Sequence, residues 1–307
     1  MSIFKKIKNF LFPVWGFFCF VWNSKNQHGV HSPFVFDLIT KCFYDKKIYP
    51  EYSILNSYRE SLLQNKNTIQ VTDFGAGSRV FKTNERQIAK IAKTAGISQK
   101  RAKLLFRLVN YFQPETILEI GTSLGLATSA LSLGLEAKTN RAKLNLNAKI
   151  TTLEGCTNTM RISEELFKDV GRRLEEGFSN QNKNLLTFNN NINFINSKFE
   201  DYLENLKPET LNLKFQTYNL KPPTYNLIYF DGNHSKKATL EYFELLLPTI
   251  TNDSIWIFDD IHWSLEMEQA WKIIQNHPKV TVTIDTFQWG IIFFRQEQEK
   301  EHFVIRV

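Results

Sequence analysis

Residues Thr116–Leu133 read TILEIGTSLGLATSALSL. A short apolar run carries one acid, Glu119, and passes directly into Gly121, Ser123 and Gly125, after which small and apolar residues recur at helical spacing. The pattern predicts a strand, a tight glycine turn and a helix. Glycines at such a turn admit a ligand close to the backbone. The helix behind it presents unpaired N–H groups and the positive end of its dipole to an anionic group. The stretch is therefore expected to cradle a nucleotide or a related cofactor.

Three chemistries use such a turn, and spacing separates them. A dinucleotide fingerprint requires G-x-G-x-x-G, whereas Ser123 holds the middle place and Gly125 comes one position early. NAD is disfavoured on that ground. Gly121-Thr122-Ser123-Leu124-Gly125 also satisfies G-x-S-x-G, the nucleophile elbow of α/β-hydrolases, with Ser123 as the exposed nucleophile. The same residues resemble the first loop of class I methyltransferases. There an acid two positions before the first glycine faces the S-adenosylmethionine site, and the glycines admit its methionine end.

Composition narrows the field. With 307 residues, 42% hydrophobic and 14% aromatic, the chain can build one large α/β core with a small appended lobe. The net charge of +7 is spread along the chain with no basic block, so it reads as a solvated surface and nucleic acid is not an expected partner. Cys19, Cys42 and Cys156 form no C-x-x-C pair, which suggests a reducing compartment and no zinc knuckle. Lys5, Lys6 and Lys8 precede the apolar run Phe10 to Trp22 in a layout like a signal peptide. No small-residue cleavage site follows, Pro13 interrupts the run, and it is too short to span a bilayer. A cytoplasmic protein is expected, the segment either packing on its own domain or making a peripheral membrane contact.

Ahead of the opening stretch, Ser32-Pro33 leads into an apolar helix. His28 and His31 have no Cys, Asp or Glu close by in sequence and read as loop residues. The segment VTDFGAGS, residues 71–78, is as glycine-rich as the turn itself. Only Thr68 to Val71 could form a strand before it, and RVFKTNERQ after it is strongly polar, so it is assigned to an N-terminal extension lying over the cofactor cleft. Helices from Gln87 to Ala95 and Lys100 to Phe112 then lead to the first core strand, the second ending before Pro114.

Beyond the turn, EAKTNRAKLNLNAK reads as an exposed insertion. Lys149 to Leu153 form a second strand ending in Glu154, 33 residues past Gly121 (154 minus 121). That exceeds the roughly 20 residues typical of a dinucleotide fold by about the length of the insertion. A carboxylate there can accept both hydroxyls of a ribose. Arg161 to Glu176 is an amphipathic helix, Asn191 to Asn196 a third strand, and residues 205–224 a second insertion. A fourth strand, Tyr225 to Phe230, ends in Asp231-Gly232-Asn233-His234, and a fifth, Ser254 to Phe258, ends in Asp259-Asp260-Ile261-His262-Trp263. Each is followed by a helix. Val280 to Thr286 and Gly290 to Arg295 form a hairpin, and His302 to Val307 a further edge strand. This alternation indicates a doubly wound sheet finished by an antiparallel pair.

A hydrolase could take Ser123, then Asp259 or Asp260, then His277. Little before Ile117 reads as sheet, however, and His277 precedes the final hairpin rather than following a late strand. That model also leaves Glu119, Glu154 and Asp231 without a role, although doubly wound sheets bind ligands at such strand ends.

LEIGTSLG, LEGC, IYFDGNHS and IFDDIHW together resemble the class I S-adenosylmethionine-dependent methyltransferases. The likeness is to the small-molecule O-methyltransferases of the catechol and caffeoyl-CoA type, and to a bacterial branch that also carries HGVHSPFVF and DFGAGS. It covers about residues 100–295. It implies a Rossmann-like seven-stranded sheet with the last strand antiparallel, after an N-terminal helical extension or lid over residues 1–99, the methyltransferase domain occupying 100–307. By position it places Glu119, Gly121, Thr122, Ser123, Gly125 and Asp231 at the cofactor, Glu154 on its ribose, and Ser197 and Phe199 near adenine. In metal-dependent relatives an acid after the fourth strand and an Asp-Asn pair after the fifth hold a divalent ion. Here those places read Asp231 and Asp259-Asp260, oxygen donors suited to Mg²⁺. The relatives' catalytic lysine is replaced by His234, an imidazole able to accept a proton at neutral pH. In a purely structural role, Asn233 and His234 would instead cap the following helix.

The expectation is therefore methyl transfer from S-adenosylmethionine to an oxygen of a small-molecule acceptor, with Asp231 and His234 catalytic and a divalent metal at Asp231, Asp259 and Asp260. The alternatives are an α/β-hydrolase with Ser123 as nucleophile and a non-catalytic methyltransferase-like binding protein. A homodimer is the expected assembly.

Overall fold

The computed structural model describes residues 3–75, 77, 78, 80–137, 148–177, 188, 191–206 and 223–307. Both proposed insertions, 136–149 and 205–224, lie for the most part outside the described residues. In chain order the main elements are α1 (Ile3–Asn23), α2 (Pro33–Leu38), α3 (Glu51–Gln64), β1 (Thr68–Gln70), β2 (Glu85–Gln87), α4 (Ile88–Thr94) and α5 (Gln99–Phe112). There follow β3 (Thr116–Ile120), α6 (Leu126–Glu136), β4 (Lys149–Glu154), α7 (Thr157–Gly177), β5 (Ile192–Asn196), α8 (Phe199–Glu204) and β6 (Leu227–Phe230). The chain ends with α9 (Lys236–Leu246), β7 (Ile255–Asp259), α10 (Leu265–Asn276), β8 (Val282–Asp285), β9 (Trp289–Phe293) and β10 (Glu301–Val304). The architecture is α/β with a mostly parallel sheet and flanking helices.

Two units divide the chain: Thr40–Phe199, and Met1–Ile39 with Glu200–Val307. In the first, β3, β4 and β5 run parallel in that order, with Thr116 opposite Lys149 and Glu154 opposite Asn196. The helix after the turn, α6, is buried from Leu126 through Leu135, as its unbroken apolar and small sequence demands. Ser98 caps α5 by accepting a hydrogen bond from the Arg101 N–H, and Gln113, in a left-handed conformation, ends it one residue before Pro114. The glycine-rich segment at 71–78 follows β1, which pairs antiparallel with β2 in a separate two-stranded sheet. It is not a core strand-to-helix turn, in agreement with its polar flanks.

The second unit orders its strands β10-β8-β9-β7-β6. β6 and β7 are parallel, β9 is antiparallel to both β7 and β8, and β10 is parallel to β8. β6, β7, β8 and β9 are buried along their whole length, which is why LIYF, IWIFD and WGIIF show no polar alternation, whereas β8 buries Thr283 and Asp285 as well. Three strands in one unit and five in the other make eight where seven are expected, and the additional one is β10.

The residues before Ile39 join the second unit because they are tied to β10 and its neighbours. The Lys25 N–H donates to the Val304 carbonyl at 2.8 Å, and the Ser32 hydroxyl donates to Gln298. The expected domain boundary at 99/100 falls within Thr40–Phe199. Pro13 sits inside a continuous α1 rather than breaking it. Among the described residues no helix is long and apolar enough to cross a membrane.

Candidate active site

The turn between β3 and α6 is held in a strained form. Gly121, Ser123 and Gly125 all have positive φ, at 106°, 48° and 75°. A side chain on Gly125 would collide with Ser163 Oγ, Tyr58 Oη and the Phe167 ring, so the glycine is needed both for conformation and for space. Tyr58 is buried, and its hydroxyl donates to the Leu124 carbonyl at 3.0 Å, fixing the turn from α3. Ser123 has no such freedom at Cα, and its left-handed backbone costs about 1 kcal/mol. Its N–H is compensated by Glu154 Oε2 at 2.8 Å.

Glu154, at the end of β4, is the organising acid of this unit. One carboxylate oxygen accepts the Ser123 N–H and the other the Cys156 N–H, each at 2.8 Å. The Thr159 side chain and the Gly155 N–H also hydrogen-bond to the carboxylate, which is thus held from several sides. Burial pushes the Glu154 carboxyl up, and its backbone hydrogen bonds pull it back. The ends of β4 and β5 are laced together: Asn196 Nδ2 donates to the Glu154 carbonyl at 2.8 Å, and the Ser197 N–H donates to it at 3.1 Å. Ser197 is half-buried, and Phe199 begins α8.

Glu119 and Thr122 are both buried. Glu119 is 0% exposed, its Oε2 accepting from the Thr128 and Thr152 hydroxyls, both at 2.6 Å. Desolvation raises its carboxyl to about 7 despite those bonds. Its other oxygen, Oε1, is buried with no partner among the described residues. The Thr122 side chain is buried against Thr152, so only its backbone can face a ligand.

Sequence reasoning missed the floor of this site. Gly155 has no side chain, and the Phe74 ring occupies the space where its Cβ would be. Lys198 lies over the same ring at 5.6 Å. The Thr72 N–H donates to Cys156 Sγ at 3.3 Å, and Asn158 Nδ2 to the Gln70 carbonyl at 2.7 Å. The 71–78 segment therefore lies on the residues just after Glu154. Its Gly and Asp content hinted at such a place, whereas nothing local marked Tyr58, Thr128 or Ser163.

The second group of residues lies in the other unit. His234 Nε2 is 3.6 Å from Asp231 Oδ1, so these two are brought together. Ser235, not Asn233 or His234, caps α9 by accepting from the Ala238 N–H. Asn233 takes the positive φ of the turn and its Nδ2 donates to the Tyr242 hydroxyl. His262 pairs with Asp285 at 2.8 Å and stacks on Phe287, a partnership its sequence neighbours did not announce.

The expected metal triad is not assembled. Among the described residues no group of three or more His, Cys, Asp or Glu side chains is placed to hold an ion. Asp259 is buried, accepting from the Tyr229 hydroxyl at 3.2 Å and from the Asp260 N–H at 2.9 Å. Asp260 adopts a left-handed backbone at φ 56°.

A parallel sheet with one reversed strand, a glycine turn after β3 and an acid at the end of β4 define the class I methyltransferase fold. Residues 118–261 match a family model described as a methyltransferase domain. No curated protein matches the sequence. Among solved structures the chain is similar to a Podospora anserina methyltransferase bound to S-adenosylhomocysteine, with 13% identity, 87% of this chain and 97% of that one covered, and a TM-score of 0.51. It also matches a Bacillus cereus O-methyltransferase in complex with S-adenosylhomocysteine (14% identity, 83% and 94% covered, TM-score 0.47). A third match is the Streptomyces achromogenes O-methyltransferase TomG in complex with S-adenosylmethionine (12% identity, 81% and 91% covered, TM-score 0.48). The match spans a little under half of the chain, and the solved structures share the fold of a methyltransferase. The match favours the methyltransferase reading of the glycine turn over the hydrolase one, and His277, the third member of the hydrolase set, has Nδ1 engaged by the Lys279 N–H at the end of α10.

Proposed function

We propose that the chain transfers a methyl group from S-adenosylmethionine to a hydroxyl oxygen of a small acceptor. The observation that carries this reading is the Glu154 carboxylate, fixed by the Ser123 and Cys156 N–H groups at the end of β4, beside the glycine turn. That arrangement suits the paired hydroxyls of a ribose. Gly121 and Gly125 admit the methionine end, and the unpartnered Oε1 of Glu119 is an unmet acceptor for its ammonium group. Ser197 and the Phe74 ring bound the adenine.

When bound, the cofactor supplies an electrophilic methyl group on a positively charged sulfur. His234 would accept the proton of the acceptor hydroxyl, leaving its oxygen free to take that methyl group. Asp231, 3.6 Å away, stabilises the imidazolium so formed. Because Asp259 is committed to Tyr229 and Asp260, no step is assigned to a divalent ion. The O-methyltransferases among the similar structures favour an oxygen acceptor.

Calorimetric titration of S-adenosylhomocysteine tests the cofactor site. Losing two charge-assisted hydrogen bonds, each worth roughly 1.5–3 kcal/mol, should weaken binding in Glu154→Ala by about two orders of magnitude or more. Equal affinity in variant and wild type would remove the carboxylate from the site. With an acceptor identified by screening, His234→Ala should lower kcat by about 10²- to 10⁴-fold and leave S-adenosylhomocysteine affinity unchanged. Undiminished turnover would exclude the histidine as base.

A further inference from the structure

The first helix presents an apolar face that its own unit leaves uncovered. α1 reads IFKKIKNFLFPVWGFFCFVWN, without an acidic residue. Only one side of its described part is packed: Phe20 is buried, and Phe17 and Phe20 meet the Phe287 ring at 5.1 and 5.5 Å. Trp15, Phe18 and Trp22 are 70%, 64% and 90% exposed, and Val14 and Phe17 are exposed as well. At about 100° per residue these five fall within one arc of roughly 160°. Gly16 and Phe20 lie on the opposite side, toward Phe287.

The C-terminal end of the helix is fixed rather than trailing. Lys25 bridges to Ile305, and Arg306 Nη2 donates to the Val21 carbonyl and to Ser24 Oγ, both at 3.1 Å. The aromatic arc is therefore held out from the body on a stable support.

Its chemistry selects the occupant. Lys5, Lys6, Lys8 and Lys25 precede the first acid of the chain, Asp37, so the first 36 residues carry four lysines and no carboxylate side chain. Tryptophan and phenylalanine beside lysines match the boundary between acyl chains and anionic headgroups, where indole rings bury their apolar body and keep the N–H wet. Three lysines within its first turns, with no span long and apolar enough to cross, suit the helix to lying in the plane of the interface. We infer that α1 docks this protein on anionic lipid bilayers, with Trp15, Phe18 and Trp22 inserted and the lysines on the headgroups.

The test is co-sedimentation of the full chain with vesicles of phosphatidylcholine alone and of phosphatidylcholine with 30% phosphatidylglycerol, at low and high salt. Wild type is expected to partition at least tenfold more strongly onto the anionic vesicles and to be partly released by 0.5 M NaCl. The triple variant Trp15→Ser, Phe18→Ser, Trp22→Ser should lose at least tenfold in binding with an unchanged melting temperature, because the three rings touch solvent. Lys5→Glu, Lys6→Glu, Lys8→Glu, which leaves every aromatic in place, should abolish the preference for anionic lipid. Absence of wild-type binding to anionic vesicles would overturn the inference. So would a dimer in sedimentation velocity that the aromatic variant converts to monomer while vesicle binding persists, since the face would then belong to a second copy.

Discussion

Glu119 shows how a single side chain can be legible as important while the partners that hold it are not. Its position two residues before Gly121 marked it, yet the hydroxyls that clamp it, Thr128 and Thr152, lie 9 and 33 residues away in sequence and carry no local signal. Wholly buried, it is pushed up from 4.5 to about 7 by desolvation. Between those values the folded protein keeps a proton that the unfolded chain has released. The group's contribution to stability is therefore fully present below about pH 4.5 and falls as pH rises through about 7. Glu119→Gln never ionises, so its ligand-free form should gain on wild type across that window, by up to about 3 kcal/mol at pH 8. Melting curves at pH 4.5 and pH 8 measure this, and an identical difference at both would show that the carboxyl does not titrate there. In calorimetry the same variant should bind S-adenosylhomocysteine more weakly, with the larger loss at pH 8, where the native carboxylate is charged.

Among the elements, the strand–turn–helix of β3 and α6 was readable because its sequence changes period abruptly and its glycines sit where positive φ is needed. The 71–78 segment was readable only by exclusion. Its place depends on what it touches, Gly155 and Cys156, more than eighty residues later in the chain. Phe74 there supplies a ring that Gly155 cannot, so the pair acts as one residue divided between two segments. Removing the ring should weaken S-adenosylhomocysteine by about tenfold, at the lower end of base–aromatic stacking of roughly 1–3 kcal/mol, while Phe74→Tyr stays near wild type. Gly155→Ala alone should also weaken binding, because its methyl displaces the ring. In the Phe74→Ala background the same change should cost almost nothing, and strict additivity in that double-mutant cycle would separate the two positions.

For the molecule as a whole, the fold class and every core strand could be read from the sequence, since buried strands of a parallel sheet are unbroken apolar runs punctuated by acids and glycines. The partition into units could not. It follows from contacts such as Lys25 with Val304 and Ser32 with Gln298, which join the two ends of the chain across more than 260 residues. The partners of Asp259 were equally hidden: its carboxylate accepts from Tyr229, on the neighbouring strand, and from the Asp260 N–H. All the residues assigned to the ribose and adenine, Glu154, Ser197, Phe199 and Phe74, belong to the unit Thr40–Phe199. Hydrogen exchange with and without saturating S-adenosylhomocysteine should therefore show slowed exchange at residues 119–126, 152–158 and 70–75, and no change across α1 or the β8–β9 hairpin. At a hundredfold excess over Kd the ligand should stabilise by about 2.7 kcal/mol the opening reactions that expose its site. Protection confined to β8, β9 and α1 would place the ligand in the other unit, and the Glu154 assignment would fall with it.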